Sequence, residues 1–347
     1  MKIAVLHGEV AEGAGPDEQD ALAEAAFVAD GLARLGHEPC AVPVSLNLEK
    51  SRQALTALRP ELVFNLVEAL AGHGRLIHLA PALLDALRIP YTGARTEAMF
   101  LTSNKLLAKS TLAAAGLPTP EWFPDGGKSS SSSAQGTWIV KSVWEHASVG
   151  LEEGSVLFAA DQKKIAGEMA ARRATLGGTC FAERFIDGRE FNVSLLAGGK
   201  AAPLAGKDIA AGVESAVLPG NEDPEVFPPA EIRFDAYPPG KVRVVGYKAK
   251  WEAESFEFAG TTRSFTFPPA DAPLLALLRE LALQCWRLFG LRGYARVDFR
   301  VDAGGRPWIL EVNANPCISA DAGFIAAAAQ AGISHTAVLE RIISDVS

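Results

Sequence analysis

The chain has 347 residues, of which 48% are hydrophobic and 21% are charged. This length predicts two or three domains of a globular protein, because single hydrophobic cores stop growing at about 250–300 residues. The formal net charge of −8 and the lack of a basic stripe argue against binding to nucleic acid or to an anionic membrane surface.

The cysteines and the N-terminal residues predict a cytoplasmic location. The four cysteines show no paired spacing, which favours reduced thiols over disulfides or a zinc site; they are Cys40, Cys180, Cys285 and Cys317. The N-terminal MKIAVLHGEV carries one lysine and a short apolar run, so it predicts a first strand rather than a signal peptide. Because no run of about 18 apolar residues occurs, we expect no membrane span.

Residues 1–93 alternate apolar strand patterns with helical patterns, which predicts an open α/β domain with a parallel sheet. The predicted strands are KIAVL, PCAVPV and ELVFNLV, and the predicted helices are DALAEAAFVADGLARLG, EKSRQALTALR and LAPALLDALR. Gly13 and Gly15 lie in the first strand-to-helix loop, but Glu18 stands where a dinucleotide fingerprint needs its third glycine. This departure argues against a nicotinamide-binding oxidoreductase.

The next segment, residues 94–182, contains a helix, a Gly/Ser-rich loop and a strand. The helix is SNKLLAKSTLAAAG, and the loop FPDGGKSSSSSAQG, which includes Ser129–Ser133, is expected to be mobile. Gly127-Lys128-Ser129 matches the end of a P-loop, but Trp122 occupies the position of the required earlier glycine. The strand TWIVKSV, which is largely apolar, carries Lys141, and a small-residue loop around Ser148 follows it.

From residue 179 onward, the runs TCFAERFI and REFNVSLLAG flank an Asp-Gly pair, which predicts a β-hairpin. A proline-rich segment around Pro219–Pro239 predicts a long loop or lid. The run LLALLRELALQCWRLFGL predicts an amphipathic core helix, and HTAVLERIIS predicts a terminal helix.

Between these two helical runs lies a second predicted hairpin, formed by YARVDFRV and WILEVNANPCIS around the turn DAGGR. Side chains alternate between the faces of a strand, so Glu311, Asn313 and Asn315 are expected on one face, opposite an apolar face of Leu310, Val312 and Ala314. Proline cannot continue the ladder, so the strand is expected to end at Pro316.

A turn centred on Ala303–Gly305 would place Asp298 opposite Glu311 and Arg296 opposite Asn313. Cross-strand neighbours lie about 5 Å apart. Two carboxylates at that distance repel unless a cation or a shared proton lies between them.

The default interpretation of an acidic hairpin is a solvated surface. The alternative is a Mg²⁺ site, which requires a phosphate site elsewhere in the chain because Mg²⁺ usually keeps substrate phosphates as ligands. Lys141 is one candidate for such a site, since the flexible loop after it can fold over phosphates. Lys105, at a predicted helix start, is a second candidate.

Taken together, these segments resemble the ATP-grasp superfamily and, more closely, the D-alanine–D-alanine ligase family, in order along nearly the whole chain. The resemblance implies an ATP-grasp fold of the α/β class, α+β overall. It implies an N-terminal open parallel α/β domain over residues 1–93 and a small central domain with a phosphate flap over residues 94–182. A C-terminal antiparallel-sheet domain with the metal hairpin and a lid would cover residues 183–347.

The resemblance also implies roles for single residues. In PYTGARTEAMFLTSNKLLAK and IVKSVWEHASVG, Lys105 and Lys141 would bind ATP phosphates. In FAERFIDGREF, three residues would edge the adenine and Glu190 would hold the ribose; the three are Glu183, Arg184 and Ile186. In YKAKW, Lys250 would lie near the γ-phosphate. In ARVDFRV and ILEVNANP, the ligands of Mg²⁺ (or Mn²⁺) would be Asp298, Glu311 and Asn313.

The mechanism that the resemblance implies has two steps. ATP phosphorylates a substrate carboxylate to give an acyl phosphate and ADP, and an amine then attacks the acyl carbon while phosphate leaves. Arg296, together with the backbone N–H after Pro316, would meet the oxyanion, with Cys317 in place of the family's glycine. The flap around Ser148 would exclude water. The implied setting is peptidoglycan synthesis, with small-molecule acid and amine substrates, ATP and a homodimer.

Four departures from the family pattern concern the substrate side. FNLVEALAGHGRLIH replaces the usual His-Gly and Glu-Asp-Gly stretch, which leaves Glu68 and His73 as alternatives for the missing role. The acid for the first substrate falls at Asp17 or Glu18, although acids at a helix start are also common caps.

The other two departures are Trp251, in place of a tyrosine that would bond to Ser148, and Ala322, in place of a serine for the second substrate's carboxylate. The lid region from Gly206 to Tyr247 is also extended. The substrate therefore stays open: D-alanine, or a different amino acid or small carboxylate. An ATP-grasp kinase and a non-catalytic nucleotide-binding protein are the alternatives of other classes.

Overall fold

Three β-sheets organise the chain in its computed structural model, which describes residues 1–11, 13–126, 133–145, 148, 150–198 and 223–346. The first sheet is parallel in the order β2-β1-β3, as predicted. Its strands are β1 (Lys2–Gly8), β2 (Glu38–Val44) and β3 (Leu62–Asn65). The helices that follow the strands are α1 (Pro16–Arg34), α2 (Leu48–Leu58) and α3 (Leu79–Leu87). Buried aliphatic residues fill both faces of this sheet, which is the pattern of a doubly covered parallel sheet.

A small antiparallel sheet follows, in the order β4-β7-β5-β6. Its strands are β4 (Trp122–Pro124), β5 (Gly136–Ser142), β6 (Val156–Ala159) and β7 (Cys180–Arg184). The helices of this part are α4 (Thr96–Ser103), α5 (Lys105–Ala114) and α6 (Gln162–Arg172). Asn104 caps α5 by accepting hydrogen bonds from the N–H groups of Leu106 and Leu107, which explains why a helix begins at Lys105.

The largest sheet is antiparallel and runs β11-β10-β8-β12-β13, with β9 also paired to β8. Its strands are β8 (Arg189–Leu196), β9 (Glu225–Val226), β10 (Ala230–Arg233), β11 (Thr262–Ser264), β12 (Tyr294–Val301) and β13 (Pro307–Asn313). The helices are α7 (Tyr247–Trp251), α8 (Phe256–Gly260), α9 (Ala272–Leu288), α10 (Gly323–Gln330) and α11 (His335–Ser344). The predictions for α9, α11, β12 and the pairing of β12 with β13 are confirmed.

Helices α10 and α11 connect the first and the largest sheets. One buried cluster combines Val28 of α1, Leu339 of α11, Phe324 of α10 and Tyr294 of β12. Asn315 donates to the carbonyl of Val67 after β3, and Glu68 interacts with Arg296, so the carboxyl end of the parallel sheet faces the polar side of the largest sheet. We call the region between these two surfaces the cleft.

The hairpin predicted around the Asp-Gly pair is wrong. Strands β7 and β8 belong to different sheets, β7 pairing with β4 and β5, and β8 with β10 and β12. Gly188 does not have a positive φ. Glycine is needed there for a close approach instead, since a Cβ on residue 188 would overlap the carbonyl oxygen of Val301.

Sequence patterns also missed four helices, α4, α7, α8 and α10, and the strands within the predicted lid. The described part of the proline-rich segment contains the short strands β9 and β10 rather than a continuous loop. Residues 127–132 of the serine-rich loop and residues 206–222 of the predicted lid lie outside the described residues. The domain boundaries at residues 93 and 182 stay predictions; the second falls within β7. Among the described helices, none has both the length and the apolar character needed to cross a membrane.

Replacing Gly188 with alanine should destabilise the fold by about 2 kcal/mol or more, because the new methyl group would overlap backbone that cannot rotate away. Urea denaturation measures this change. Gly167, inside α6 with no heavy atom within 4 Å of its ideal Cβ, is the matched control, and its replacement with alanine should stabilise the protein by about 0.5–1 kcal/mol. Equal stabilities of the Gly188 variant and the parent protein would contradict the close approach.

Candidate active site

A ladder of polar side chains crosses three neighbouring strands of the largest sheet. In the register of β8 and β12, Ser194 lies opposite Arg296, Asn192 opposite Asp298 and Glu190 opposite Arg300. In the register of β12 and β13, Arg296 lies opposite Asn313 and Asp298 opposite Glu311, as the sequence predicted. Three strands with period-two alternation therefore place one polar face toward the cleft.

A β-bulge at Leu310 places Glu311 opposite Asp298. The register shifts between Asp298 and Phe299, whose partner is Ile309, so Leu310 is the extra residue. The prediction that Leu310 shares an apolar face with Val312 and Ala314 is therefore wrong for Leu310. Ile309 is fully buried in its place and Leu310 is half-buried. The bulge brings Glu311 opposite Asp298 while Ile309 stays in the core.

Asn315 does not extend the polar row, contrary to the prediction. The strand ends at Asn313, and the Asn313 side chain accepts a hydrogen bond from the Asn315 N–H. Asn315 is buried, its side chain accepting from the Tyr294 hydroxyl and donating to the carbonyl of Val67 after β3. Asn315 thus ties the metal hairpin to the end of the parallel sheet.

Cations balance the two hairpin acids. The Arg296 guanidinium contacts both oxygens of Asp298, at 2.7 and 2.8 Å, and Asn192 donates to Asp298 Oδ1 at 2.7 Å. Burial disfavours the charge of Arg296, but Asp298 and Glu311 outweigh burial and raise its pKa. Lys105 Nζ lies 3.4 Å from Glu311 Oε1.

Lys105 and Lys250 approach the same acids from two other elements. Lys105 also donates to the carbonyl of Glu145 in the flap, at 2.9 Å. Lys250 belongs to α7. Desolvation of its ammonium group lowers its pKa, and the charge of Arg296 lowers it further. The carboxylates of Asp298, Glu311 and Glu190 act in the opposite direction. The structure thus brings Arg296, Lys250 and Lys105 together around the predicted metal ligands.

Ser148 lies where the flap meets the segment before α7. Its hydroxyl donates to the carbonyl of Val245 at 2.8 Å. The N–H of Tyr247 donates to Leu151, and a Cβ at Gly246 would stand 2.6 Å from the Leu151 oxygen. The sequence analysis expected a tyrosine to bond to Ser148 in the family, and this chain has Trp251 at that position. The Ser148 hydroxyl donates to a backbone carbonyl instead.

Glu183 lies at the centre of a buried ion triad. Its two oxygens lie 2.6 Å from Lys109 Nζ and 2.6 Å from Lys141 Nζ. Burial raises the pKa of Glu183, but the two ammonium groups outweigh burial and lower it, whereas burial lowers the pKa of Lys109 to about 8. Lys109 also donates to Thr119, which donates to the carbonyl of Ile309 in β13.

Of the residues predicted to bind adenine and ribose, Arg184 points away from the other site residues, whereas Glu190 lies among them. The Arg184 side chain lies on the opposite face of β7 from Glu183, over the Trp138 ring, and donates to the carbonyls of Ser133 and Gln135. The structure therefore does not bring its guanidinium to the other site residues. The Ile186 carbonyl accepts from Arg300, and Arg300 Nη2 lies 2.6 Å from Glu190. Glu190 is thus held by a buried arginine that our sequence analysis did not single out.

A cluster of carboxyl groups faces Arg296 from the first domain. It consists of Asp20 and Glu24 on α1 and Glu68 after β3, with Cys317 beside them. Burial is the main cause that raises the pKa of Glu24, and the nearby carboxylate of Glu68 is the second. Burial likewise raises the pKa of Glu68 to about 7, with Asp20 as the second cause. Glu24 accepts from the N–H of Ile318 at 2.6 Å.

The residues that the sequence left as alternatives lie at different places relative to this cluster. Glu68 is half-buried and interacts with Arg296 and Lys250, whereas His73 is exposed. On α1, Asp20 and Glu24 face the cleft, while Glu18 lies against Gly72 and the side chain of Asp17 lies outside the described residues. The helix begins at Pro16, four residues before the expected DALAEA start. Asp20 and Glu24 therefore lie within the helix, and Asp17 and Glu18 lie in its first turn.

The hairpin donor set fits a hard divalent cation. Asp298, Glu311 and Asn313 offer carboxylate and amide oxygens, the ligands that Mg²⁺ prefers. Lys105 and Arg296 lie against the two carboxylates, which shows that this position needs positive charge. A second group of possible donors consists of Glu24, Glu68 and Cys317, of which Glu24 already accepts a hydrogen bond from the N–H of Ile318.

Sequence reasoning missed five residues that shape the site: Asn192, Arg300, Lys109, Asp20 and Glu24. A signal existed for the first, because Glu190, Asn192 and Ser194 alternate in REFNVS as a half-polar strand. The contacts of Lys109 and Glu24 join residues 74 and 294 positions apart, respectively, and no local pattern encodes them.

Comparisons with known proteins agree with this site. Residues 203–344 match a family model described as the D-ala D-ala ligase C-terminus. A D-alanine–D-alanine ligase of Moorella thermoacetica is 30% identical over 345 residues, which cover 99% of this chain and 98% of that protein. The y4sG protein of Sinorhizobium fredii is 28% identical over 284 residues, covering 81% of this chain and 73% of that one.

Among solved structures, the Bacillus anthracis D-alanine–D-alanine ligase complexed with ATP has a TM-score of 0.69 at 20% identity, covering 100% of this chain and 97% of that one. The three sheets and the polar cleft between them thus define an ATP-grasp enzyme, an ATP-dependent ligase. The chain belongs to the D-alanine–D-alanine ligase family. The resemblance seen in the sequence, the fold class and the enzyme class are confirmed.

Replacing Glu183 with glutamine should destabilise the protein by about 3–5 kcal/mol, because two buried ammonium groups would lose their shared counter-charge. Denaturant titration measures this loss. Asp30, in an exposed ion pair with Arg34, is the control, and its replacement with asparagine should change stability little. A loss below 1 kcal/mol for the Glu183 variant would argue against the buried triad.

Replacing Glu68 with glutamine should make stability less dependent on pH. The pKa of Glu68 rises from 4.5 to about 7 on folding, so the proton stabilises the native state below pH 4.5 and this stabilisation is lost as pH rises through 7. Relative to the parent, the variant should gain up to about 3 kcal/mol between pH 4.5 and pH 8. Thermal unfolding across this range tests the shift, and a difference that does not vary with pH would refute it.

Proposed function

We propose that this ligase joins the carboxylate of one amino acid to the amine of a second substrate through an acyl phosphate, and that D-alanine is the first substrate to test. The observation that supports this proposal is the single cleft in which Arg296, Lys250 and Lys105 meet two cross-strand acids and face the carboxyl cluster of Asp20, Glu24 and Glu68. Names of relatives such as the Moorella protein support D-alanine.

In the phosphoryl-transfer step, positive groups stabilise charge that spreads over the transferred oxygens. Lys105, Lys141 and Lys250 are assigned to the ATP phosphates. Asp298, Glu311 and Asn313 would hold Mg²⁺ (or Mn²⁺), which supplies further charge neutralisation when bound. The adenine would lie along the backbone at Glu183, Arg184 and Ile186, and Glu190, oriented by Arg300, would accept from the ribose hydroxyls.

In the acyl-transfer step, Arg296 and the N–H of Cys317 are assigned to the oxyanion. Cys317 is not among the residues with positive φ, so its backbone suits a side chain where the family carries glycine. The N–H of Ile318 is already used by Glu24, which orients this turn. Phosphate leaves as the amine nitrogen bonds to the acyl carbon, and the amine loses a proton.

The carboxyl cluster is assigned to the ammonium group of the first substrate. An ammonium near Glu68 would favour its ionised form, because an opposite charge lowers the pKa of a carboxyl group. The contact of Ser148 with Val245 closes the flap against the α7 segment, and this arrangement would exclude water from the acyl phosphate. A homodimer and a cytoplasmic location are also part of the proposal, on the family resemblance.

Replacing Asp298 with asparagine or Glu311 with glutamine should reduce ATP turnover by about 100-fold or more, because each removes a charge from the phosphoryl-transfer site. ADP release per folded molecule measures the loss, with circular dichroism to verify the fold. Asp302, at the turn of the same hairpin, is the control; it accepts from three N–H groups, so its asparagine variant should lose stability but keep its turnover number. Turnover retained in the Asp298 or Glu311 variants would refute the assignment.

Substrate identity can be tested by ADP release with Mg·ATP across single amino acids and pairs, with mass spectrometry of the product. The dipeptide from D-alanine alone would establish D-alanine ligation, a step of peptidoglycan synthesis. Turnover only with another acid and amine would keep the chemistry and change the substrate. A stable phosphate ester formed without an amine would instead indicate a kinase.

A further inference from the structure

Asn192 projects into the cleft from a strand that is paired on both sides. It lies on β8, and its backbone stands opposite Ala230 of β10 on one side and opposite Asp298 of β12 on the other. Its chain neighbours Phe191 and Val193 are fully buried on the other face of the sheet. The backbone of Asn192 therefore has little freedom to shift, and its side chain starts from a fixed position beside Asp298.

Asn192 contacts one of the two carboxylate oxygens of Asp298. Its Nδ2 donates to Asp298 Oδ1 at 2.7 Å, and Arg296 Nε donates to the same oxygen at 2.7 Å. Asp298 Oδ2 accepts from Arg296 Nη2 at 2.8 Å. A carboxylate oxygen has about two lone-pair sites. Oδ1 is therefore saturated, whereas Oδ2 accepts one hydrogen bond among the residues that the structure describes and keeps a site for a further ligand.

The contact from Asn192 holds Asp298 without neutralising it. An ionised carboxylate only accepts hydrogen bonds, so the amide must present its NH2 group to Asp298. Because an amide carries no net charge, it leaves on Asp298 the negative charge that a divalent cation requires. Arg296 also contacts this carboxylate, but it offsets the charge and is assigned to the oxyanion as well. Asn192 has neither of these other roles.

The donor and the second hairpin acid lie on opposite sides of Asp298. Strand β8 carries Asn192 on one side of β12, and β13 carries Glu311 on the other, so the three side chains form one row across three strands. A hydrogen bond from the β8 side leaves the β13 side of the carboxylate, where Glu311 and Asn313 lie, for an ion.

We propose that Asn192 is a positioning residue for the metal site, which occupies Oδ1 of Asp298 and so presents Oδ2 to the divalent cation. Partners that hydrogen-bond to a metal ligand fix its orientation, and their loss lowers metal affinity by about 10- to 100-fold. Asn192 acts through Asp298 and does not touch the ion. The inference rests on the proposed function, in which Asp298, Glu311 and Asn313 hold Mg²⁺ or Mn²⁺.

Binding of Mn²⁺ tests this role without the ligase reaction. Free Mn²⁺ is measured from its electron paramagnetic resonance signal while Mn²⁺ is added to the protein in saturating ADP. The Asp298→Asn variant gives the binding that does not involve the metal hairpin, including that of ADP itself. The Asn192→Leu variant removes the amide donor and keeps a side chain of similar size, and circular dichroism verifies its fold.

The Asn192→Leu variant should bind Mn²⁺ about 10- to 100-fold more weakly than the parent. In the Asp298→Asn background the same replacement should have no further effect, because Asn192 acts through Asp298. The Mg²⁺ concentration for half-maximal ATP turnover should rise by a similar factor, while kcat at saturating Mg²⁺ stays close to that of the parent. Gln53, whose amide donates to Glu49 on α2 at 2.9 Å, is the matched control, and Gln53→Leu should leave Mn²⁺ binding unchanged.

The outcomes separate the inference from the function on which it rests. If the parent and Asp298→Asn bind Mn²⁺ equally, the assignment of the metal ligands fails and the inference fails with it. If only Asp298→Asn loses binding and Asn192→Leu keeps the parent affinity, the role of Asn192 alone is overturned. It is also overturned if Asn192→Leu weakens binding equally in both backgrounds. Hairpin binding of Mn²⁺ that depends on Asn192, with no product from any acid and amine, would refute the ligase function and support the role of Asn192.

Discussion

The pairing of Asp298 with Glu311 across two strands is the constraint on which the rest of the cleft depends. Two carboxylates at neighbouring cross-strand positions are stable only with positive charge beside them. Arg296 and Lys105 supply that charge, from the same strand and from the start of α5. Lys250 on α7 adds to it. The cleft therefore collects its cations from three parts of the chain around one acidic pair.

Sequence patterns predicted the parts of this arrangement that depend on local periodicity. Alternation in YARVDFRV and a short turn predicted the pairing of Asp298 with Glu311, and the structure has that register through a bulge at Leu310. The same reasoning failed at Leu310, because a bulge is an insertion of one residue that a two-residue period does not reveal. It also failed at Asp187-Gly188, where glycine is needed for a close backbone approach, although Asp-Gly is a common turn sequence.

Contacts between distant segments were beyond the reach of local patterns. Glu183 was expected beside adenine, yet its carboxylate is bound by Lys109 and Lys141. The proximity of Glu68, rather than His73, to Arg296 depends on how the end of β3 meets α1. Such pairings follow from the packing of sheets and helices, which is set by burial over the whole chain.

The bulge at Leu310 has a consequence for how this protein can vary. With Ile309 buried in the core on one side and Glu311 facing the cleft on the other, the number of residues between Asp298 and Glu311 fixes which side chain meets the cleft. A deletion or insertion of one residue in the turn at Asp302–Arg306 would exchange the acid for an aliphatic neighbour. The register of the site therefore depends on the length of this hairpin more strictly than on the composition of its turn.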